Sequence, residues 1–456
     1  LVKVRFTNND IAVILLSWLW TTSLGERPEV SLVGVRGAIL LALIFAFASQ
    51  AQAQWQPFGD DGFSDSGNAS RKRSGRSDKI PPPISQYVLI SSATDQATGR
   101  AIGRYEQLVA AGGWAPIPSG PSLKFGSRDK RVILLRRRLQ MTGELAQSRK
   151  DSSGFDREVH EAVIRFQNRH GLTPSGKVNR FTLKALNVSA AQRLNQLRLN
   201  RQRLRKLLAR TKGKTYILVN IPGYELQAVS GGQLQISSRV VSGKPATRTP
   251  EVTTAVRAVN FLPYWHVPQS IAHRALIPAV KKDPGYLARE HIRVYASWGG
   301  AEVDPAQVNW FAPQGKRYVF RQDPGPFNAL GVIRLDMPNR YIVYMHDTPL
   351  KKLFNYHLRP YSAGCVRVEQ VQQLAAWLLR NEGGWGQERI SSTIQSGQAQ
   401  TVKLKRPVPV HFTYLSAWGT GDGLANFRID IYDKDAIKAR GAKLSKWDTG
   451  SRSVAP

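Results

Sequence analysis

The segment Tyr341–Glu369 reads YIVYMHDTPLKKLFNYHLRPYSAGCVRVE and holds the chain's single cysteine, Cys365, nineteen residues after His346. Acyl transfer from an amide needs a nucleophile, a base, a group that orients the base, and donors for the oxyanion. Cys365 supplies the first, and His346, delivered by a predicted strand, supplies the second. Gly364 permits a tight turn, so amides near Gly364 and Cys365 can face a developing oxyanion. Arg367, two residues further on, is placed to hold a substrate carboxylate. A helix is expected directly after Cys365, where its N-terminus would favour the thiolate.

Each of these residues also has a plainer reading. A lone cysteine is most often a small buried apolar side chain, and a lone histidine a satisfied structural one. A free thiol is a liability in an oxidising compartment, however, so its retention in an exported chain shifts the balance towards function. The remaining histidines, His357 and His411 among them, lack metal-ligand spacing and read as structural or solvent-facing. No metal and no cofactor is expected.

Export is read from Val35–Ala53, VRGAILLALIFAFASQAQA. Arg36 precedes an apolar run from Ala38 to Ala48, followed by Ala51-Gln52-Ala53, the small-x-small layout of a cleavable signal. An uncleaved anchor is the alternative, and membrane contact is expected only in that case. The apolar stretch Ile11–Trp20 is too short to span a bilayer, so a true start near Val33 or Val35 is expected. The 456 residues carry 65 Lys+Arg against 32 Asp+Glu, a net charge of +33. Outside the cell such a charge meets anionic envelope polymers rather than nucleic acid, and it also serves plain solubility. One cysteine excludes an intramolecular disulfide and any multi-cysteine metal site.

The elements that must position the site divide the chain. Residues 1–53 form the signal region and 54–85 a Gly-, Ser- and Pro-rich tether. Residues 86–128 are a scaffold segment. Residues 129–187 are a compact, separable three-helix unit. Its buried stripes are Val132, Leu135 and Leu139, then Val159, Ala162, Val163 and Phe166, with Asp156 as a cap and Gly171 as a stop. Residues 188–212 form a basic helix, read as a connector with buried leucines in preference to a polyanion- or membrane-binding helix. From 213 to 436 the period changes to that of strands: Tyr216–Ile221, Glu225–Val229, Gln235–Val241, Tyr341–Met345 and Val410–Tyr414. Pro407 and Pro409 place the last at the start or edge of a sheet. A helical insert around Ser270–Glu290 and a helix over Val368–Arg380 complete an α+β domain, and 437–456 is a tail.

His346-Asp347-Thr348-Pro349 … Ser362-Ala363-Gly364-Cys365-Val366-Arg367-Val368 resembles the catalytic signature of L,D-transpeptidases with a YkuD-type domain. The loop Arg321-Gln322-Asp323-Pro324-Gly325-Pro326-Phe327-Asn328-Ala329-Leu330-Gly331 is similar to theirs. So is the insert from Tyr264-Trp265-His266-Val267-Pro268 to Lys282-Asp283-Pro284-Gly285-Tyr286, which would form a lid over about 264–290. Residues 129–187 resemble a peptidoglycan-binding domain, and 86–128 the scaffold segment of large family members. The resemblance implies a β-rich catalytic domain that cleaves the bond between the diamino acid and D-Ala of a stem tetrapeptide. It implies Cys365 as nucleophile and His346 as base, oriented by the backbone carbonyl of Asp347, with Gly364 in the oxyanion hole. Arg367, Ser362, Tyr344, Asn328 and Tyr264 would meet substrate. Partners would be stem peptides and glycan strands, with an envelope protein as a further acceptor and carbapenems as covalent inhibitors, in the periplasm or cell envelope. Ala363 departs from the Ser-His-Gly-Cys of many members and leaves the base role to His346 alone. Two other readings compete: a carboxypeptidase or exchange enzyme at the same site, and a catalytically silent wall-binding protein.

Overall fold

The computed structural model describes residues 81–147 and 152–436. The signal region, most of the tether and the tail lie outside the described residues.

The amino-terminal part is helical. Helices α1 (Ser92–Ala110), α2 (Arg131–Met141), α3 (Arg157–Arg169), α4 (Arg180–Leu186) and α5 (Ala190–Thr211) follow in order. The stripes on α2 and α3 are fully buried in one core with Phe155, Leu172 and Leu186. Asp156 caps α3, its carboxylate accepting from the Val159 amide at 3.0 Å. Gly171 ends that helix at φ +62°, and a Cβ there would strike Arg428 Cδ at 2.6 Å. That close approach shows why the unit is less separable than its sequence suggests. Ile429 packs on both the helical core and the sheet core, and Arg428 Nη1 donates to the Arg169 carbonyl at 3.0 Å.

The basic helix α5 is a connector. Leu194, Leu197 and Leu204 are buried. Arg198 pairs with Glu106, Arg201 and Arg205 with Asp95, and Arg203 with Asp435. These contacts spend much of its charge on the neighbouring α1 and the carboxyl-terminal segment.

The carboxyl-terminal part is built on a sheet of strands β1 (Tyr216–Asn220), β2 (Glu225–Ser230), β3 (Gln233–Gly243) and β4 (Val252–Phe261), then the short β5 (Trp265–His266), β6 (Ile292–Tyr295), β7 (Glu302–Val303) and β8 (Val319–Gln322) of an insert, followed by β9 (Ile333–Asp336), β10 (Met345–His346), β11 (Pro360–Ser362), β12 (Val366–Val368) and β13 (Gln400–Thr413). Among the described residues the main sheet runs β11-β3-β12-β10-β9-β4-β13-β1-β2. Helix α6 (Val371–Leu379) buries Val371, Leu374, Ala375 and Leu378 against one face, over Met345, Val366 and Val368. Each fully buried Val or Leu there is worth about 1.5–3 kcal/mol.

Two expectations fail here for identifiable reasons. The strand β13 is central, between β4 and β1, despite Pro407 and Pro409. Its Val410–Thr413 end has neighbours on both sides, whereas the proline-bearing stretch pairs only with β4 and carries a register shift between Lys403 and Val408. The missing N–H groups fall where one side is open. Tyr341–Met345 is mostly loop: only Met345 and His346 are strand, and Ile342 takes φ +53°.

The insert from β5 to β8, which includes the segment expected as a lid over about 264–290, carries short helical turns between its strands. Its own core gathers Trp265, Ala272, Leu276, Val280, Val294 and Phe320. Ala272–Leu276 is a π-helical turn. Tyr344 packs against both the lid core and the sheet core.

Candidate active site

Parallel strands β10 and β12 place His346 beside Arg367. Residues two apart on a strand share a face, so Tyr344, His346, Cys365 and Arg367 converge on the side of the sheet opposite α6. Cys365 ends the turn Ser362–Cys365 and leads into a strand, not a helix: α6 begins only at Val371. The expected helix-terminus effect on the thiol is therefore absent. Ser362 turns inward. Its hydroxyl donates to the Cys365 carbonyl at 2.5 Å and accepts from the Gly364 amide at 3.1 Å. Ser362 thus braces the turn that ends at Cys365, and the Gly364 amide faces its hydroxyl. Gly364 itself needs its φ of +131°.

The thiol is partly exposed. Burial among its neighbours raises its pKa; a backbone and a hydroxyl bond to Tyr344, and the charge of Arg367, pull the other way but lose. His346 is buried, and desolvation followed by the charge of Arg367 pulls its pKa down to about 3. Backbone groups of Asp347 and Leu330 favour the imidazolium but are outweighed, and Nδ1 makes no hydrogen bond of good geometry. The resting pair is thiol and neutral imidazole. The Tyr344 ring stands 5.7 Å from the His346 ring, edge to face, while its hydroxyl reaches the sulfur.

Arg367 is 0% exposed and none of its three guanidinium nitrogens has a hydrogen-bond partner. A solvent-borne carboxylate cannot touch it as expected; it acts through its field on Cys365 and His346. The backbone of Asp347 acts on His346, while its carboxylate turns elsewhere, accepting from the Val332 amide at 3.1 Å and pairing with Lys351. Gly331 is required beside it, since a Cβ there would sit 2.4 Å from Asp347 Oδ2. Asn328 is also turned inward. Its amide donates to the Pro263 and Asp323 carbonyls at 3.1 and 2.9 Å and its oxygen accepts from the Leu330 amide at 2.8 Å. It ties the loop that carries Leu330 to the lid's entry and meets no solvent. Tyr264 remains 41% exposed, with Arg321 over its ring at 4.6 Å.

Sequence reasoning missed two braces. Thr249 Oγ1 donates to the Gly364 carbonyl at 2.8 Å and accepts from the Gly243 amide at 2.8 Å. Tyr432 OH donates to the Gly243 carbonyl at 2.7 Å and accepts from the Thr249 amide at 3.0 Å. The local signal was Gly243 followed by Thr249-Pro250, but nothing nearby pointed to Tyr432, far along the chain.

Residues 214–410 match the family model described as L,D-transpeptidase catalytic domain, YkuD. This segment is an L,D-transpeptidase catalytic domain. Residues 128–186 match the model described as "Putative peptidoglycan binding domain". A Haemophilus influenzae protein described as "Putative L,D-transpeptidase" is 36% identical over 241 residues, covering 53% of this chain and 48% of its own length. The chain thus aligns with about half of that relative. An L,D-transpeptidase structure from Xylanimonas cellulosilytica is 16% identical, covering 65% of this chain and 99% of its own, with a TM-score of 0.21. One from Stackebrandtia nassauensis is 13% identical, covering 66% and 97%, with a TM-score of 0.23. The transpeptidase domain owns every residue of the constellation from His346 to Arg367. Among the described residues no cluster of His, Cys, Asp and Glu is arranged to hold a metal, and no helix is long and apolar enough to cross a membrane.

Proposed function

We propose that this chain is an envelope-acting L,D-transpeptidase with Cys365 as nucleophile. The observation that carries the reading is the placement of the chain's one thiol: partly open to solvent, at the end of a braced turn, on the face shared by His346 and a buried, unpartnered Arg367.

The substrate is a stem tetrapeptide. The Tyr344 hydroxyl leaves the sulfur, and Cys365 Sγ attacks the carbonyl carbon of the diamino acid–D-Ala bond. A C–S bond forms and the thiol proton passes to His346. The oxyanion is met by the Cys365 amide, with the Gly364 amide joining if it swings off Ser362. The C–N bond then breaks, His346 returns the proton to the departing nitrogen, and D-Ala leaves. An amine on a second stem then attacks the thioester: a C–N bond forms, the C–S bond breaks, and His346 takes the amine's proton and passes it to the departing sulfur, restoring the thiol and giving a 3→3 cross-link; an amine on an envelope protein would give an anchor.

Arg367 assists in one direction and resists in the other. Its positive field stabilises thiolate and oxyanion, and opposes imidazolium. A neutral resting pair follows, and the proton moves only as negative charge builds on the substrate. Residues 129–187 would hold glycan strands while the transpeptidase domain works on the peptide. Export to the periplasm or cell envelope belongs to the same reading.

Cys365→Ala tests it. D-Ala release from purified stem tetrapeptide is expected to vanish, and intact-mass measurement is expected to lose the acyl adduct that a carbapenem forms on the wild type. Undiminished release by the variant would remove the mechanism.

A further inference from the structure

The turn that ends at Cys365 is gripped from behind by the loop after β3. The Ser362 carbonyl accepts from the Lys244 amide at 3.0 Å and from Thr247 Oγ1 at 3.1 Å. The Gly364 carbonyl accepts from Thr249 Oγ1 at 2.8 Å, and that oxygen accepts from the Gly243 amide at 2.8 Å. Only glycine fits at 243, because a Cβ there would sit 2.1 Å from the Thr247 carbonyl oxygen. Tyr432 closes the loop: its OH donates to the Gly243 carbonyl at 2.7 Å and accepts from the Thr249 amide at 3.0 Å. The Tyr432 amide donates to Tyr414 OH at 2.9 Å, and that hydroxyl donates to Asp430 at 2.6 Å. Thr249, Tyr432 and Tyr414 are all buried. Each of the three hydroxyls takes a bond from a backbone N–H, which can only donate, so its own proton must go to the remaining acceptor.

The consequence reaches the next peptide group. Among the described residues every peptide bond is trans. In a trans peptide the carbonyl of one residue and the N–H of the next point in opposite directions within one plane. A hydroxyl that holds the Gly364 carbonyl therefore aims the Cys365 N–H away from the loop. Gly364, at φ +131°, has no side chain to lock that plane, so the lock comes from outside. The Gly364 amide is engaged by Ser362 Oγ, which leaves the Cys365 amide to meet an oxyanion.

We propose that Thr249 is a positioning residue for acyl transfer: it sets the direction of the Cys365 amide as oxyanion donor, and Tyr432 holds Thr249 in place. This rests on the transpeptidase reading and adds to it the residues that orient its oxyanion donor before substrate arrives. A donor fixed in advance needs no reorientation as charge develops, which is the source of its catalytic value. Tyr432 lies beyond residues 214–410, the span of the catalytic-domain match, so the donor's direction is set in part by a segment outside that span.

Two measurements on the full chain test this, using Thr249→Val, Tyr432→Phe and Thr249→Ser, the last keeping the hydroxyl. The first compares two reactions of the Cys365 thiol, both scored on the Cys365 peptide by mass spectrometry. Acylation by p-nitrophenyl acetate adds sulfur to a carbonyl, passes through an oxyanion and expels p-nitrophenolate. Alkylation by iodoacetamide displaces iodide at a saturated carbon and forms no oxyanion. The acylation-to-alkylation rate ratio is expected to fall about 10- to 100-fold in Thr249→Val and about 3- to 10-fold in Tyr432→Phe. Alkylation should change little, and Thr249→Ser should recover most of the loss. A ratio unmoved in both Thr249→Val and Tyr432→Phe overturns the proposal. So does a joint fall of acylation and alkylation, which would mark the two residues as supports of the fold alone. The second measurement is steady-state D-Ala release from a stem tetrapeptide, where kcat should fall in the same order with KM held. A penalty on KM alone also overturns the proposal. A wild type that releases no D-Ala beside the expected ratios would instead sink the transpeptidase reading and leave the positioning role standing.

Discussion

Two buried histidines in this molecule sit among arginines, and those arginines are held in different ways. His170 lies in the helical unit, its ring stacked on Phe166 at 3.7 Å and on Phe427 at 5.3 Å. Burial and the charges of Arg193, Arg169 and Arg138 push its pKa well down. His346 is lowered by the same two causes, burial and an arginine. A depressed imidazole pKa therefore does not distinguish them. The neighbouring guanidinium groups do. Arg138 donates to the Leu186 carbonyl and Thr142 and lies 3.6 Å over the Trp114 ring; Arg169 pairs with Glu144; Arg193 donates to Gln196 and the Ala185 carbonyl. Among the described residues the Arg367 guanidinium finds no hydrogen-bond acceptor. One centre uses its cations as cement, and the other holds a cation whose solvation is left incomplete beside a thiol.

The largest expected effect separates the two histidines by activity. His346→Gln should cut donor turnover by about 10²–10⁴-fold, the usual worth of a positioned general base, with little change in melting temperature. His170→Gln should leave kcat within about twofold and cost about 1–3 kcal/mol of stability through lost ring packing. Comparable losses of turnover in both variants would erase the contrast.

The arginines should part next, in opposite directions. Arg367→Met removes an uncompensated buried charge, so thermal unfolding should show a gain of about 1–4 kcal/mol while turnover falls about 10- to 100-fold. Arg138→Met should lower stability and spare turnover. A destabilised Arg367→Met protein would mean that this guanidinium is cement as well.

Acid should act on the two centres differently. The folded pKa of His170 is depressed, so the unfolded chain binds the extra proton. Stability from this group is full above the unfolded value of about 6.5 and is lost as pH falls below it towards the folded value. Urea unfolding from pH 7 to 5 should show that slope and lose part of it in His170→Gln. At Cys365 the thiol pKa is raised above its ordinary 9.0. Iodoacetamide labelling should climb from pH 7 to beyond 9; a rate plateau between pH 5 and 7 would reveal a preformed thiolate–imidazolium pair instead.

The smallest effect concerns positioning. Asn328→Ala breaks three buried bonds of the loop that carries Leu330 and should cost about 1–3 kcal/mol, with KM and lid protection from hydrogen exchange affected before kcat.

Much of this was written locally. The stripes on α2 and α3, the Asp156 cap and the stop at Gly171 depend on periodicity and on residues a turn apart, and all appear as expected. That His346 sits on a strand and Cys365 at the end of a glycine-bearing turn was legible from the sequence. Roles that depend on side-chain direction were not. Asn328 and Ser362 looked like substrate contacts because a motif marks importance without saying which way a side chain faces; both point inward to brace backbone. Arg367 looked reachable for the same reason and is sealed.

The sequence by itself determined residue type, spacing and local period, which is enough to mark a thiol, a strand-borne histidine and two family segments, because those signals live within a few turns or one strand. The tertiary structure decided burial and partnership. Whether Cys365 meets a helix or a strand, which groups Arg367 charges, and that Tyr432 fastens the nucleophile's turn all depend on strands brought together from distant parts of the chain. Solvation and Coulomb energy are set by what surrounds an atom in space, and no residue's neighbours along the chain specify that.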